Sequence, residues 1–142
     1  MMQPVPQDLQ PLLERAVASH QAGDLGEAER CYRAVLEASP DEFDALHYLG
    51  LLCAQGGRHA EALSLMRRAV NLNPQSAEVN ANLGNVLLES KHAQEALGCF
   101  GKALSLQPGN FVALYNRGNA LRALQRDDEA LASYAAALAI EP

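Results

Sequence analysis

Residues 77–108 decide the fold of this chain, and they read AEVNANLGNVLLESKHAQEALGCFGKALSLQP. The apolar residues of each half fall at helical spacing: Val79, Leu83, Val86 and Leu87, then Ala96, Leu97, Phe100, Ala103 and Leu104. The polar tripeptide Ser90-Lys91-His92 separates the halves, and Pro108 stops the second, because proline keeps the residue before it out of helical geometry. The stretch therefore predicts two antiparallel helices joined by a short turn.

The same pattern occurs four times with a period of 34 residues. Prolines close the copies at Pro40, Pro74, Pro108 and Pro142. Each copy also has a Glu-Ala pair whose alanine is followed four residues later by a large residue; the alanines are Ala28, Ala62, Ala96 and Ala130, and the large residues are Tyr32, Met66, Phe100 and Tyr134. This recurrence predicts an all-α chain with helix-turn-helix repeats at 9–42, 43–76, 77–110 and 111–142, after an extension at 1–8.

Small residues occupy fixed places in the repeats. Gly50, Gly84 and Gly118 lie in the middle of the first helices, where glycine costs about 1 kcal/mol relative to alanine. We expect close helix packing to offset this cost, with the alanine of each Glu-Ala pair as the matching flat surface and the large residue beside it. The residues expected to cap the following first helices are Asp41, Ser76 and Asn110.

Composition and charge exclude several classes of protein. The net charge is −6, and residues 1–42 hold eight of the acidic side chains against three basic ones, so neither nucleic acid nor an anionic membrane is expected as a partner. No apolar run reaches the roughly 20 residues of a membrane span, and the start has no secretory signal pattern, which predicts a cytoplasmic protein. The three cysteines, Cys31, Cys53 and Cys99, are expected to be free thiols, mostly buried.

The order Leu-Gly, Ala, aromatic, Ala and Pro resembles the tetratricopeptide repeat, over residues 9–142. The tryptophan often found early in such repeats is replaced by Leu12, Leu46, Asn80 and Leu114. The resemblance implies an α-solenoid of four repeats that forms a right-handed superhelix. It also implies that the first helices line a concave groove and that the partner is another protein or a peptide.

Two pairs of asparagines mark a candidate binding surface. Asn82 and Asn85, and again Asn116 and Asn119, are three residues apart on one face of a first helix. Side-chain amides both donate and accept hydrogen bonds, so a ladder of them would hold the backbone of an extended peptide. Residues 77–110 resemble repeats of O-linked N-acetylglucosamine transferases, which have a similar ladder. The alternative is that Asn82 and Asn116 bond the neighbouring backbone of the scaffold.

Other residues predicted to face the groove are His47, Glu78, Tyr115 and Arg122. Tyr115, Asn119 and Arg122 share one helical face and form the predicted hot spot. His20 and His47 lack a third ligand for a metal. No catalytic triad or nucleotide-binding loop is present in the sequence, so no catalytic residue and no cofactor are expected.

Three functions follow from this pattern. The first is a non-enzymatic scaffold that binds a peptide. The second is the substrate-recruiting region of a larger enzyme that resembles O-linked N-acetylglucosamine transferases. The third is self-association through the last helix, which is apolar at Leu138 and Ile140. No capping helix follows it in the sequence, and we therefore also expect the native chain to continue beyond Pro142.

Overall fold

The computed structural model describes residues 5–141, and that part of the chain contains eight α-helices and no strand, so the all-α prediction is confirmed. The helices are α1 (Gln10–Gln21), α2 (Leu25–Ala38), α3 (Phe43–Gln55), α4 (His59–Leu72), α5 (Ala77–Glu89), α6 (Ala93–Leu106), α7 (Phe111–Ala123) and α8 (Asp127–Ile140). They form two compact units, of which the first ends at Pro74 and the second begins at Gln75. The right-handed superhelix and the repeat boundaries stay predictions.

Side-chain caps start three of the first helices. Ser76 accepts a hydrogen bond from the backbone N–H of Val79 at 3.2 Å, and Asn110 accepts one from that of Ala113 at 3.0 Å, as predicted. The prediction for α3 is wrong by one residue, because Glu42 caps it instead of Asp41 and accepts from the N–H of Ala45 at 2.6 Å. Glu42 is the residue directly before the helix and lies 34 residues before Ser76, so it occupies the equivalent capping position. Burial raises the pKa of this carboxyl.

The second helices end before the prolines, as the sequence predicts. Helices α2, α4 and α6 end two residues before Pro40, Pro74 and Pro108. The residues between, Ser39, Asn73 and Gln107, have φ angles of −139°, −140° and −145°, which are extended rather than helical.

Glycines of the first helices pack against the large residues of the second. A Cβ atom added at Gly84 would lie 2.7 Å from Cε1 of Phe100, and one added at Gly50 would lie 2.8 Å from Cγ of Met66. Gly118 faces the ring of Tyr134 in the same way. We expected the alanine one turn earlier to form this contact, with the large residue beside it. The alanines are buried, but the nearest atoms to Gly84 and Gly118 belong to the rings.

The turn inside each helix pair has one residue in the left-handed region. Gly23 and Gly57 occupy it in the first unit, with φ angles of 85° and 81°. Lys91 and Gln125 occupy the equivalent places in the second unit, with φ angles of 69° and 59°. A side chain in this conformation costs about 1–2 kcal/mol, which glycine avoids.

An ion-pair network joins α2 to the helix pair that follows it in the first unit. The carboxylate of Glu29 lies 2.7 Å from a guanidinium nitrogen of Arg58 and 2.8 Å from one of Arg33, and Arg33 also contacts Glu61 at 2.8 Å. Hydrogen bonds from Arg58 and then Arg33 lower the pKa of Glu29 to about 2. Because Glu29 faces solvent in part, each pair adds little stability by itself.

Two further predictions concern the thiols and the membrane. Cys31 and Cys53 are buried and Cys99 is partly buried, and all three are thiols that form no disulfide within the described residues. Burial raises the pKa of the Cys53 thiol, which makes it a poor nucleophile. Within residues 5–141 no helix combines the length and the hydropathy needed to cross a bilayer.

Candidate functional site

The four asparagines lie on two helices that contact each other in the second unit. Asn82 and Asn85 belong to α5, and Asn116 and Asn119 belong to α7. All four side chains are partly exposed. We call these four residues the asparagine face.

Hydrogen bonds orient the amides on α7. The hydroxyl of Tyr134 donates to Oδ1 of Asn119 at 2.5 Å, and Nδ2 of Asn119 donates to Oδ1 of Asn116 at 3.3 Å. The second bond joins residues one turn apart, so both amides lie on one face of the helix. The oxygen of Asn116 therefore accepts a hydrogen bond from a side chain. In the alternative interpretation Asn116 would bond the neighbouring backbone. The amides are held in defined orientations before any ligand arrives.

Asn85 differs from its neighbours. Its Oδ1 atom is buried and accepts no hydrogen bond from the residues that the structure describes. Leaving a buried acceptor unpaired costs about 1–3 kcal/mol. The preceding repeats have Leu51 and Val17 at the equivalent positions, which carry no such atom. The scaffold therefore does not use the amide oxygen of Asn85.

The residues of the predicted hot spot line one cleft. Tyr115, Asn119 and Arg122 of α7 face a cavity of about 420 Å³ between α7 and α8, which we call the α7/α8 cleft. The α8 side of this cleft contributes Tyr134, Ala137 and Leu138, and Phe111 completes the α7 side. The wall is largely apolar, and its polar groups are a guanidinium, an amide and the two tyrosine hydroxyls. Such a cleft suits an amphipathic segment.

Sequence reasoning assigned Leu138 to an apolar surface for self-association and did not connect α8 with the predicted hot spot. It expected Tyr134 to fill the gap beside the alanine of its repeat, as Phe100 does in the preceding repeat. Phe100 is fully buried, whereas Tyr134 is partly exposed and its ring faces that of Tyr115 at 5.7 Å. The hydroxyl of Tyr134, which Phe100 lacks, was the available signal, since a phenol oxygen needs a polar partner.

The two other predicted site residues, His47 and Glu78, differ in their exposure to solvent. His47 was expected to face the groove, but it is only 2% exposed, and its ring stacks on Tyr48 at 5.0 Å. The expectation of a binding residue is corrected here, because the imidazole fills space between aromatic neighbours and is closed to solvent. Glu78 is exposed in the first turn of α5, where its charge favours the helix dipole.

The histidines do not form a metal centre in the described residues. No group of three or more histidine, cysteine, aspartate or glutamate side chains between residues 5 and 141 could hold a metal ion. His20 instead bridges Tyr32, at 3.2 Å, and Gln55, at 3.0 Å.

Solved structures with the same fold include two proteins called MamA. A crystal structure of MamA protein superimposes with a TM-score of 0.87 at 25% sequence identity, over 94% of this chain and 73% of that chain. MamA from Desulfovibrio magneticus RS-1 gives a TM-score of 0.88 at 20% identity, over 94% and 75%, and shows the fold alone.

An enzyme structure is more similar in sequence. A mutant of the O-GlcNAc transferase from Thermobaculum terrenum is 36% identical with a TM-score of 0.77. The match covers 85% of this chain but 23% of that enzyme, so the similarity concerns a part of it. None of the curated proteins matches the chain.

The family model of the tetratricopeptide repeat matches residues 13–77 and 82–142. These two segments cover residues of all four helix pairs. In the last three pairs a large residue of the second helix packs on a glycine of the first helix. The chain belongs to the tetratricopeptide repeat family.

Proposed function

We propose that this chain is a non-enzymatic scaffold that holds an extended segment of another protein against the asparagine face. The amides of Asn82, Asn85, Asn116 and Asn119 would bond the backbone of that segment. Each amide offers two donors and an acceptor, which match the carbonyl and N–H groups of a peptide whatever its side chains. Recognition through the backbone would make binding tolerant of sequence.

The observation that carries this proposal is the unpaired oxygen of Asn85. An asparagine whose oxygen bonds nothing in the scaffold lowers stability, and an N–H group from a ligand would compensate for that loss. Asn85 is partly exposed while its oxygen is buried, so the proposal requires that the amide rotate and bring the oxygen to the surface on binding. On α7, the chain of bonds from Tyr134 through Asn119 to Asn116 supports the same proposal, since oriented amides lose less freedom on binding.

A peptide selection tests the proposal. A library of random peptides displayed on phage is selected against the wild-type chain. The enriched peptides are then measured against a variant with all four asparagines changed to alanine. We expect a loss of at least tenfold in affinity, because each lost hydrogen bond contributes about 0.5–1.5 kcal/mol.

The matched control is Asn71→Ala, which removes an exposed amide from α4 in the first unit. This control is expected to bind the enriched peptides as the wild type does. Circular dichroism of both variants checks that their helices are intact. Peptides that bind the fourfold variant as tightly as the wild type would contradict the proposal.

A second function is suggested by the 36% identity to part of an O-GlcNAc transferase. In that case this region would present substrate proteins to a catalytic domain elsewhere in a longer chain. The mass of the endogenous protein distinguishes the two functions. An antibody raised against residues 5–141 that detects a chain several times larger than 15.2 kDa supports the enzyme, and a band at 15.2 kDa excludes it.

A further inference from the structure

A cavity of about 340 Å³ lies between α1 and α3 of the first unit, and we call it the α1/α3 pocket. Leu13 and Val17 of α1 and the ring of Tyr48 of α3 line its apolar part. The charged groups of its wall are Glu14 of α1 and Asp44 of α3. An apolar wall that also carries two carboxylates suits a ligand with an apolar stem and a cationic head.

The two carboxylates are not neutralised within the described part of the chain. Glu14 accepts a hydrogen bond from the uncharged amide of Gln10 at 3.3 Å. Neither Glu14 nor Asp44 forms an ion pair with any residue from 5 to 141. Glu14 is exposed and Asp44 is partly exposed, so a cation from outside the chain has access to both.

The imidazole nearest to the pocket is satisfied in its neutral form. His20 lines an adjoining cavity of about 230 Å³, which shares Val17 and Tyr48 with the pocket. Its Nε2 atom lies 3.0 Å from Oε1 of Gln55, which only accepts hydrogen bonds, so Nε2 carries the proton. Its Nδ1 atom lies 3.2 Å from the hydroxyl of Tyr32, which donates to the bare nitrogen of a neutral ring.

Aromatic neighbours fix the ring of Tyr48 in the wall of the pocket. The ring stacks on that of His47 at 5.0 Å and on that of Tyr32 at 6.3 Å between the centroids. Burial raises the pKa of Tyr32 to about 12, and the neighbouring Tyr48 and Asp44 add to this rise. The apolar wall is therefore preformed, and the potential beside it is negative.

The second unit has a different chemistry at the equivalent positions. Where the first unit has Glu14 and Tyr48, the second unit has Asn82 and Asn116. Amides suit the uncharged groups of a peptide backbone, whereas a carboxylate beside an aromatic ring favours a basic side chain. The excess of acidic side chains in residues 1–42 has the sign that attracts such a partner.

We propose that the α1/α3 pocket binds an arginine side chain of a partner protein. The aliphatic stem of the arginine lies against Val17 and Tyr48, and its guanidinium lies between the carboxylates of Glu14 and Asp44. Arginine fits better than lysine, because the five donors of a planar guanidinium bond two carboxylates at once. This goes beyond the proposed function, since it concerns a charged side chain in the first unit rather than a backbone in the second.

The probe is a short peptide with one arginine at its centre and only glycine, alanine and serine around it. In a matched peptide citrulline replaces the arginine, which keeps the shape of the side chain and removes its charge. Each peptide is titrated into the ¹⁵N-labelled chain and followed by two-dimensional NMR.

We expect the arginine peptide to bind at least fivefold more tightly than the citrulline peptide, because hydrogen bonds between charged groups are the stronger ones. The shifted resonances should lie at Glu14, Val17, Asp44 and Tyr48. In the double variant Glu14→Gln with Asp44→Asn the two peptides should bind equally, which isolates the charge pairs from general effects of the substitutions.

The matched control is the double variant Glu37→Gln with Asp41→Asn. It has the same net charge as the test variant, but its two substitutions remove exposed carboxyls of the first unit that do not line the pocket. This control should keep the full preference for arginine. Loss of the preference in the control would mean that the net charge of the chain, rather than the pocket, attracts the peptide.

Other results would also overturn the proposal. They are the absence of binding at millimolar peptide, equal affinities of the two peptides for the wild type, or shifts confined to the second unit. Butylguanidinium that binds more tightly than the arginine peptide would make a small free cation the occupant instead. The citrulline comparison uses the wild-type chain, so it decides the question even if the double variant loses its structure. Failure here leaves the asparagine face intact, because the fourfold alanine variant tests that surface with different peptides.

Discussion

Gly84 of α5 lies directly beneath the ring of Phe100 in α6, so closely that an added Cβ would be 2.7 Å from a ring carbon. Phe100 is fully buried, so its ring has no free space to move into. The glycine allows the two helices to approach until the aromatic ring fills the space between them. Gly50 with Met66 and Gly118 with Tyr134 have the same relationship.

A methyl group at this contact should destabilise the chain. Gly84→Ala gains about 1 kcal/mol of helix propensity. Overpacking against the confined ring costs about 1–3 kcal/mol. Because the contact is shorter than any normal one, we expect the upper end of that range and a net loss of about 2 kcal/mol in the free energy of unfolding, measured with urea.

The control is Gly98→Ala in α6, where an added Cβ meets nothing within 4 Å. This variant should gain about 1 kcal/mol, because only the propensity term acts. In a Phe100→Leu background Gly84→Ala should cost less than it does in the wild type, because the ring that meets the added methyl group is gone. A gain in stability from Gly84→Ala alone would disprove the packing role of the glycine.

The left-handed residue Lys91 offers a stabilising substitution. Lys91→Gly should raise the free energy of unfolding by about 1 kcal/mol, because glycine relieves the strain of a positive φ but also loses more freedom on folding. Lys91→Ala removes the same charge and keeps the Cβ atom, so it should bring no gain. Thermal unfolding of the three proteins makes the comparison, and equal melting temperatures for the glycine and alanine variants would refute the backbone explanation.

The Glu29 carboxylate gives the chain a defined acid sensitivity. Its folded-state pKa of about 2 lies below its ordinary value of 4.5, so its contribution is complete above about pH 4.5 and is lost as the pH falls towards 2. Glu29→Gln should therefore lose less stability than the wild type between pH 6 and pH 3.5. Urea midpoints at several pH values measure this. Glu37→Gln, which removes an exposed carboxyl from the same helix, should follow the wild-type curve.

Asn85 links stability to binding. Asn85→Leu places at this position the side chain that Leu51 has one repeat earlier and removes the unpaired acceptor. We expect about 1 kcal/mol of added stability together with weaker binding of the selected peptides. Calorimetry and peptide titration measure the two effects on one sample. A variant that is more stable and binds normally would remove Asn85 from the site.

The helices were predictable because their signals are local and repeated. Apolar spacing and the closing prolines predict the eight helices found between residues 5 and 141, and the boundary between the two units falls at Pro74 and Gln75. The cap of α3 was missed by one residue, although Glu42 lies 34 residues before Ser76 and therefore at the equivalent position. The period contains this position, but glutamate is not among the residues that usually cap helices.

The candidate site was only partly predictable. Helical spacing placed Tyr115, Asn119 and Arg122 on one face, because that relation lies within a single helix. The roles of His47 and Tyr134 depend on what covers them: one is closed in by aromatic neighbours and the other is left partly open at the last repeat. Contacts between helices determine such exposure, and the spacing of residues along one helix does not predict those contacts.

Backbone recognition by the asparagine face is the central claim, and chemical modification of a bound peptide tests it most directly. One enriched peptide is synthesised in a series in which each backbone N–H in turn is replaced by N-methyl, and each affinity is measured by fluorescence anisotropy. The account predicts that N-methylation at two or more positions lowers affinity at least tenfold, while alanine substitutions of most side chains change it less. A peptide that tolerates every N-methyl group but loses binding on a side-chain substitution would contradict it.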